Sequence, residues 1–364
     1  MTTKAKQRGR TVRQRRRIFE TYEEPDDAPP AQQGAAHSPP ALPKRPPTFI
    51  RRAPPALHPE VEKAIDKFIE TYTTIGVEGL RKQFREELAT YRPPDHLYKF
   101  KAFEMHPDKN RYMDVVCLDH SRVCLTLNVP PCTDYIHANR VKFEGHDKVF
   151  IATQAPLDNT IEDFWRMIFQ EGVPHVLNLT KIVEDGKIKS TQYWPLEAGQ
   201  YHNFGKMFVN TKKVETEGKL LVYTVEVLPD GFSNSNIVKI VHVTTWPDRG
   251  LPMSGRHVLR VIRQVSGHKN DNGPIVMHCS AGIGRTGVII LIDVMLRRLF
   301  SCKEIDLVAL FKELRNQRAS CIQMEGQYAF TVLSVLDYIR IRCPKYKDRV
   351  NKFVEEFRTA MMES

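Results

Sequence analysis

The segment HCSAGIGRTG, His278 to Gly287, sets a cysteine and an arginine, Cys279 and Arg285, six residues apart among three glycines. Those types, with five residues between them, suit attack on a phosphoryl group. A free thiol has a pKa of about 8.5, but at a helix N-terminus beside a cation it falls to roughly 3.5 to 7.5 and the sulfur becomes a nucleophile. The amides of Ser280, Ala281, Gly282, Ile283, Gly284 and Arg285 can point at three phosphoryl oxygens, because Ser280, Ala281 and Gly282 are small enough for the backbone to close. The planar fork of Arg285 can hold two oxygens and follow them into a trigonal bipyramidal transition state, which an ammonium cannot do. Thr286 can donate its hydroxyl to the sulfur and help the thiolate leave.

Gly282, Gly284 and Gly287 also fit the G-x-G-x-x-G of a dinucleotide-binding loop. Both readings need a strand before the loop and a helix after it, which PIVMHC and TGVIILIDVMLRRLF supply, and both use backbone amides and the helix dipole to hold an anion. A dinucleotide fold also needs a second strand ending in an acid about 20 residues on. Asp306 is near that distance, but SCKEID has no strand pattern. The loop also falls late in the chain, and Arg285 would be out of place around a pyrophosphate. The phosphoryl-transfer reading uses every residue.

A phenolate or alkoxide leaving group needs a proton, best supplied by a carboxylic acid on a loop that closes over the site. TTWPDRGLP, Thr244 to Pro252, is such a segment, with Asp248 as the acid and Trp246 as an apolar anchor; taken alone, Asp248 reads as a turn residue.

In this order the motifs resemble the classical, non-receptor protein tyrosine phosphatases, over roughly residues 60 to 345. HCSAGIGRTG is similar to their signature loop and TWPD to their mobile acid loop. KNRYMD, Lys109 to Asp114, resembles the loop that recognises phosphotyrosine. DYIHAN and ATQAPLDNTIEDFW resemble core motifs, KSTQYWP the segment after the next strand, and CIQMEGQYAF the glutamine loop.

The resemblance implies a protein-tyrosine-phosphate phosphohydrolase acting through a phosphocysteine, without cofactor or metal. Cys279 would be the nucleophile, Arg285 the phosphate clamp, Asp248 the general acid and then base, and Thr286 the partner of the thiolate. Gln323 and Gln327 would position the water of the second step. Tyr112 would wall the pocket, whose depth admits a phosphate on a phenyl ring and stops phosphoserine short. Asp114 would accept hydrogen bonds from the substrate backbone, Lys189 would lie beside the acid loop, and Glu184 would pair with Arg285. His278 and Trp246 would support the site. The sequence departs from the family pattern at His137, Asn139, Ser190, Arg249 and Met113, and none of these removes a catalytic group.

The elements that must position these residues are legible as patterns. Apolar or alternating runs read as strands: RVCLTLNV, DYIHANRVKF, KVFIATQA, HVLNLT, LLVYTVEVL, NIVKIVHVTTW and PIVMHC. EKAIDKFIETY and VEGLRKQFREEL read as two helices. NTIEDFWRMIFQ, behind an Asn or Thr cap, and SGRHVLRVIRQV read as two more. The expected fold is therefore α/β, a twisted mixed β-sheet flanked by helices. The last helix pattern, within 346–364, puts Val350, Phe353, Val354, Phe357 and Met361 on one face, for packing on the domain or for a partner.

The chain has 364 residues with 41% hydrophobic content, enough for a full core in a domain over 58–345. Residues 1–57 do not look folded. The first 55 carry 12 Lys or Arg against 5 Asp or Glu, so +7 of the net +11 charge lies there. Eleven of the 24 prolines follow in the stretch from Pro25 to Pro59. Arg13, Arg15, Arg16 and Arg17 suit a solvated tail, nuclear targeting, or contact with nucleic acid or anionic lipid. Pro40, Pro43 and Arg45 form P-x-x-P-x-R, the pattern of a polyproline II ligand for an SH3-type domain. No apolar run approaches the ~18 residues of a membrane span, and no signal peptide is visible. Seven scattered cysteines without a C-x-x-C pair point to reduced thiols in cytoplasm or nucleus.

Overall fold

The computed structural model describes residues 57–247, 250–252, 254–266 and 273–362. Its strands are β1 (Arg122–Cys124), β2 (Tyr135–Val141), β3 (Phe150–Thr153), β4 (His175–Asn178), β5 (Val183–Glu184), β6 (Lys187–Ile188), β7 (Tyr201–Phe204), β8 (Met207–Glu217), β9 (Leu220–Pro229), β10 (Asn236–Val243) and β11 (Ile275–His278). Its α-helices are α1 (Pro59–Gln83), α2 (Lys101–Met105), α3 (Ile161–Gln170), α4 (Gly255–Ser266), α5 (Gly284–Leu299), α6 (Leu307–Gln317), α7 (Glu325–Arg342) and α8 (Lys347–Met362).

Nine strands form one sheet in the order β1-β2-β3-β11-β4-β10-β9-β8-β7, and β5 and β6 form a separate hairpin. The centre, β3, β11, β4 and β10, is parallel, and the strands outside it are antiparallel, so the sheet is mixed as expected. Parallel strands are covered on both faces. This is why FIAT, HVLN and IVMH are buried from end to end.

Val276 on β11 lies opposite Ile151 on β3 and Val176 on β4, a row that packs with Trp165 and Ile168 of α3 on one face. The other face meets α5, whose residues are almost all buried, as expected of a helix apolar all round. α7 packs on α5, and α4 and α8 pack on α7. β11 and α5 thus run through the middle of the molecule, and the segment joining them is Cys279 to Ile283.

Several expectations are corrected. RVCLTLNV gives only the three residues of β1, because the Thr126 amide bonds to the Gln170 side chain at 2.8 Å instead of to a neighbouring strand. β7 and β8 have no counterpart among the expected strands. The outer half of β8 is charged and exposed, and a register shift between Thr211 and Lys213 breaks its alternation. The two N-terminal helices, by contrast, are as expected: α1 is divided at Gly76, whose φ of 68° and ψ of 174° are not helical. Thr160 stands at the cap position of α3, but its hydroxyl bonds to the backbone of Leu157, not to the helix amides. Asp306 is the cap of α6, accepting from the Ala309 amide at 3.0 Å, and no strand follows α5 among the described residues. The dinucleotide alternative therefore lacks both its second strand and its ribose-binding acid.

Val350, Phe353, Val354 and Phe357 on α8 are buried, and Phe357 meets Phe330 of α7 with ring centroids 6.1 Å apart. The basic cluster Arg13 to Arg17, the proline motif and Asp248 with Arg249 lie outside the described residues. Phe357→Ala should lower the unfolding free energy by roughly 3 kcal/mol in a denaturant titration. A change below about 0.5 kcal/mol, the size of an ordinary surface substitution, would mean that α8 adds nothing to the core.

Candidate active site

The carbonyls of the segment after β11 are each held by a donor outside it. Ser280 O accepts the Ala155 amide at 2.9 Å, and Ile283 O accepts the Ile322 amide at 3.0 Å. Between them, Ala281 O and Gly282 O accept Nη2 and Nε of Arg318 at 2.7 and 3.2 Å. In a trans peptide the N–H points opposite to the preceding C=O. The amides of Ala281, Gly282, Ile283 and Gly284 therefore turn to the inner side of the loop. The first turn of α5 adds amides with no intrahelical acceptor and the positive end of the helix dipole. Together they form a site for an oxyanion with buried Cys279 at its base.

Gly282 makes the loop possible. Gly282 has φ +70°, and a Cβ there would come within 1.9 Å of Thr153 O. A Cβ on Gly284 would lie 2.9 Å from Oε1 of Gln323 and 3.2 Å from Nε2 of Gln327, so both glutamines lie against the start of α5. They are joined to each other by the Gln323 amide, which donates to Gln327 Oε1 at 3.0 Å.

Arg285 is buried and aimed by Glu184. Its Nη1 donates to Glu184 Oε1 at 2.9 Å and to Leu179 O, and its Nη2 donates to Glu184 Oε2. Glu184 also accepts the Thr180 hydroxyl and the Lys181 amide, both at 3.0 Å. Burial alone would raise the Glu184 pKa, but the bonds from Arg285 and Lys181 hold it below the usual glutamate range.

His278 is neutral and of one tautomer. Its Nδ1 faces Cys279 O at 3.0 Å and must donate, so its Nε2 accepts from Tyr193 Oη at 2.7 Å. Burial pushes its pKa down to about 4.

The Lys109–Asp114 segment is pinned beside the loop. Gln154 accepts the Arg111 amide at 2.9 Å and donates to Lys109 O at 2.8 Å, while Arg111 Nε donates to Ala155 O at 3.1 Å. Tyr112 is thereby brought to Ser280, its hydroxyl 2.8 Å from Ser280 Oγ, which itself donates to Lys189 O at 2.8 Å. Asp114 is exposed and Lys189 half-buried. Trp246 is buried and donates to Gly250 O at 3.0 Å, which ties the two ends of the acid segment together.

One expected contact is not formed. The buried Thr286 hydroxyl finds no hydrogen-bond partner among the described residues, so its donation to the Cys279 sulfur is not seen. Among the described residues no cluster of three His, Cys, Asp or Glu could hold a metal ion.

Arg318 has no place in the sequence reading, although it holds two loop carbonyls. It is fully buried and has no carboxylate partner among the described residues; its Nη1 donates to His137 Nδ1 at 3.0 Å and to Asn139 Oδ1 at 2.8 Å. His137 Nε2 donates to Val115 O at 2.7 Å. Burial first, and the Arg318 charge second, lower the His137 pKa to about 3, so the ring stays a neutral acceptor. Two of the departures from the family pattern therefore serve this arginine. Their appearance together in DYIHAN was the available signal.

A family model described as protein-tyrosine phosphatase matches residues 106–337, more than half of the chain. Receptor-type tyrosine-protein phosphatase zeta of Rattus norvegicus is 39% identical over 243 residues, which cover 62% of this chain and 10% of that protein. Receptor-type tyrosine-protein phosphatase F of Danio rerio is 35% identical over 258 residues, 70% of this chain and 13% of that protein. Tyrosine-protein phosphatase Lar-like of Caenorhabditis elegans is 37% identical over 262 residues, 70% of this chain and 12% of that protein. The chain thus spans about a tenth of the length of these relatives.

The lowered Glu184 pKa has a direction that can be measured. A depressed carboxylate stabilises the fold above its unfolded-state pKa, and this contribution is lost as pH falls through the folded value. Wild type should therefore exceed Glu184→Gln in stability at neutral pH, and the gap should close on acidification below the usual glutamate range. A gap that stays constant from about pH 7 to pH 3 would show that the Glu184 charge does not hold Arg285.

Proposed function

The chain belongs to the protein tyrosine phosphatase family, and on that premise we propose that it hydrolyses the phosphate ester of tyrosine in proteins through a phosphocysteine. The observation that carries this reading is the set of inward amides from Ala281 to Gly284 over Cys279, with Arg285 aimed beside them by Glu184.

In the first step the Cys279 thiolate attacks phosphorus and forms the S–P bond, while the bond from phosphorus to the tyrosine oxygen breaks. Asp248 gives its proton to that oxygen. The loop amides and Arg285 hold the three equatorial oxygens, whose charge is best met by donors already in place. Tyr112 lines the ring of the substrate, and Asp114 accepts from its backbone. In the second step a water held by Gln323 and Gln327 gives a proton to Asp248 and attacks phosphorus, and Cys279 leaves as thiolate. Thr286 would turn its unpartnered hydroxyl to that sulfur, and Lys189 would meet the closed acid loop.

We also propose, from sequence alone, a catalytic domain over 58–345 preceded by a tail, and a cytoplasmic or nuclear location. Among the described residues no helix is long and apolar enough to cross a membrane. Pro40, Pro43 and Arg45 would offer an SH3-type ligand, and Arg13, Arg15, Arg16 and Arg17 a contact for nucleic acid or anionic lipid. The receptor-type names belong to the relatives.

The purified chain should hydrolyse p-nitrophenyl phosphate without added metal, and Cys279→Ser should abolish this. Turnover by the serine variant, or dependence on metal, contradicts the mechanism. Asp248→Ala should slow turnover by about 100-fold or more, the usual worth of general acid catalysis, with phosphotyrosine peptide binding retained. Preference for phosphothreonine peptides or for phosphoinositides would replace the substrate class. Binding of phosphotyrosine without turnover would make the chain a recognition module.

A further inference from the structure

Two of the exposed large apolar side chains adjoin the pocket. Met113 follows Tyr112 and is 61% exposed, and Met324 follows Gln323 and is 42% exposed. A third, Ile188, precedes Lys189 and is 72% exposed. Single exposed apolar residues are ordinary, but their gathering around one recessed site marks a surface that meets another molecule.

The charges on the two methionine segments point the same way. Lys109 is turned inward to Asp163 at 2.7 Å, and Arg111 is spent on the carbonyls of Ala155 and Pro156. Residues 320–327 contain no cation. Exposed Asp114 stands beside Met113, while Glu325 beside Met324 is half-buried and paired with two arginines. Glu325 is bound by Arg81 and Arg85 of α1, which fixes the N-terminal end of α7 and the backbone that carries Met324. A substrate whose phosphotyrosine lies between these segments therefore meets two thioethers, with one open carboxylate, Asp114, next to Met113. Methionine adapts its shape to apolar partners and gives an acidic side chain nothing to bind.

We propose that Met113 and Met324 select phosphotyrosine sequences with large apolar residues, such as leucine, isoleucine or phenylalanine, directly beside the phosphotyrosine, and that acidic neighbours are disfavoured. This rests on the reading of the site as a phosphotyrosine pocket. The occupant is the substrate chain itself, because the methionines are continuous with Tyr112 and Gln323.

The test uses the full chain and three phosphotyrosine peptides of equal length, with leucine, serine or glutamate on both sides of the phosphotyrosine. The measured quantity is kcat/KM for each peptide. The leucine peptide should exceed the serine peptide by about tenfold, the effect of partly burying one or two such side chains, and the glutamate peptide should fall below serine. In Met113→Ser combined with Met324→Ser the leucine-to-serine ratio should fall to about threefold or less, and each single variant should lie between. Equal or better turnover of the glutamate peptide by wild type, or an unchanged ratio in the double variant, overturns the proposal. Hydrolysis of p-nitrophenyl phosphate alongside such a result leaves the phosphatase reading standing, whereas no turnover of any substrate removes both.

Discussion

Everything at the site depends on which way four consecutive peptide units of one loop are turned. Left to itself, a glycine-containing turn has no reason to point Ala281, Gly282, Ile283 and Gly284 amides inward, since four like-oriented dipoles repel. The protein fixes them from behind by giving the carbonyls of Ser280, Ala281, Gly282 and Ile283 a donor each. The inward face is then a preorganised acceptor for negative charge, and no reorganisation is needed when charge develops. Gly282 is the necessary companion, because only a residue without Cβ fits against Thr153 at positive φ.

Two arginines at the end of α6 share in this holding, Arg318 directly and Arg315 through Ile322. Arg318 serves the phosphate loop, and Arg315 donates to the carbonyls of Cys321 and Ile322 at 2.9 and 2.8 Å while also meeting Leu88, Ala89 and Tyr91 near the end of α1. Ile322 is a β-branched residue at φ 60°, a conformation of appreciable cost that persists only where its surroundings impose it. Here its amide is fixed by Ile283 and its carbonyl by Arg315, and the result is to lay Gln323 against Gly284. Burying Arg318 among neutral acceptors leaves its charge uncancelled by any carboxylate of the described residues. That charge lies behind the loop, where it favours an anion in front.

The sequence carried the chemistry more fully than the architecture. Cys279, Arg285 and the glycines are recognisable because each residue type is demanded by the reaction, and Glu184, Tyr112, Gln323 and Gln327 are indeed gathered around them. The central strands were readable because continuous apolar runs have one use. The edge strands β7 and β8 were not, since a half-exposed strand with a bulge has neither clean alternation nor an apolar run. Arg318 escaped notice because an arginine in LRNQR reads as a solvated helix end; only the fold reveals that it points inward. His137 and Asn139 stood out as departures, but their purpose required the partner they bind.

If the loop presents phosphorus to the Cys279 sulfur, the most direct measurement is to trap what forms there. The full chain would be mixed with a phosphotyrosine peptide carrying labelled phosphate, quenched within one turnover, digested and mapped. One labelled fragment is expected, with phosphate bound to Cys279 through sulfur and present in amounts approaching the enzyme concentration in Gln327→Ala. Turnover without any labelled intermediate, or phosphate on a residue other than Cys279, would contradict it.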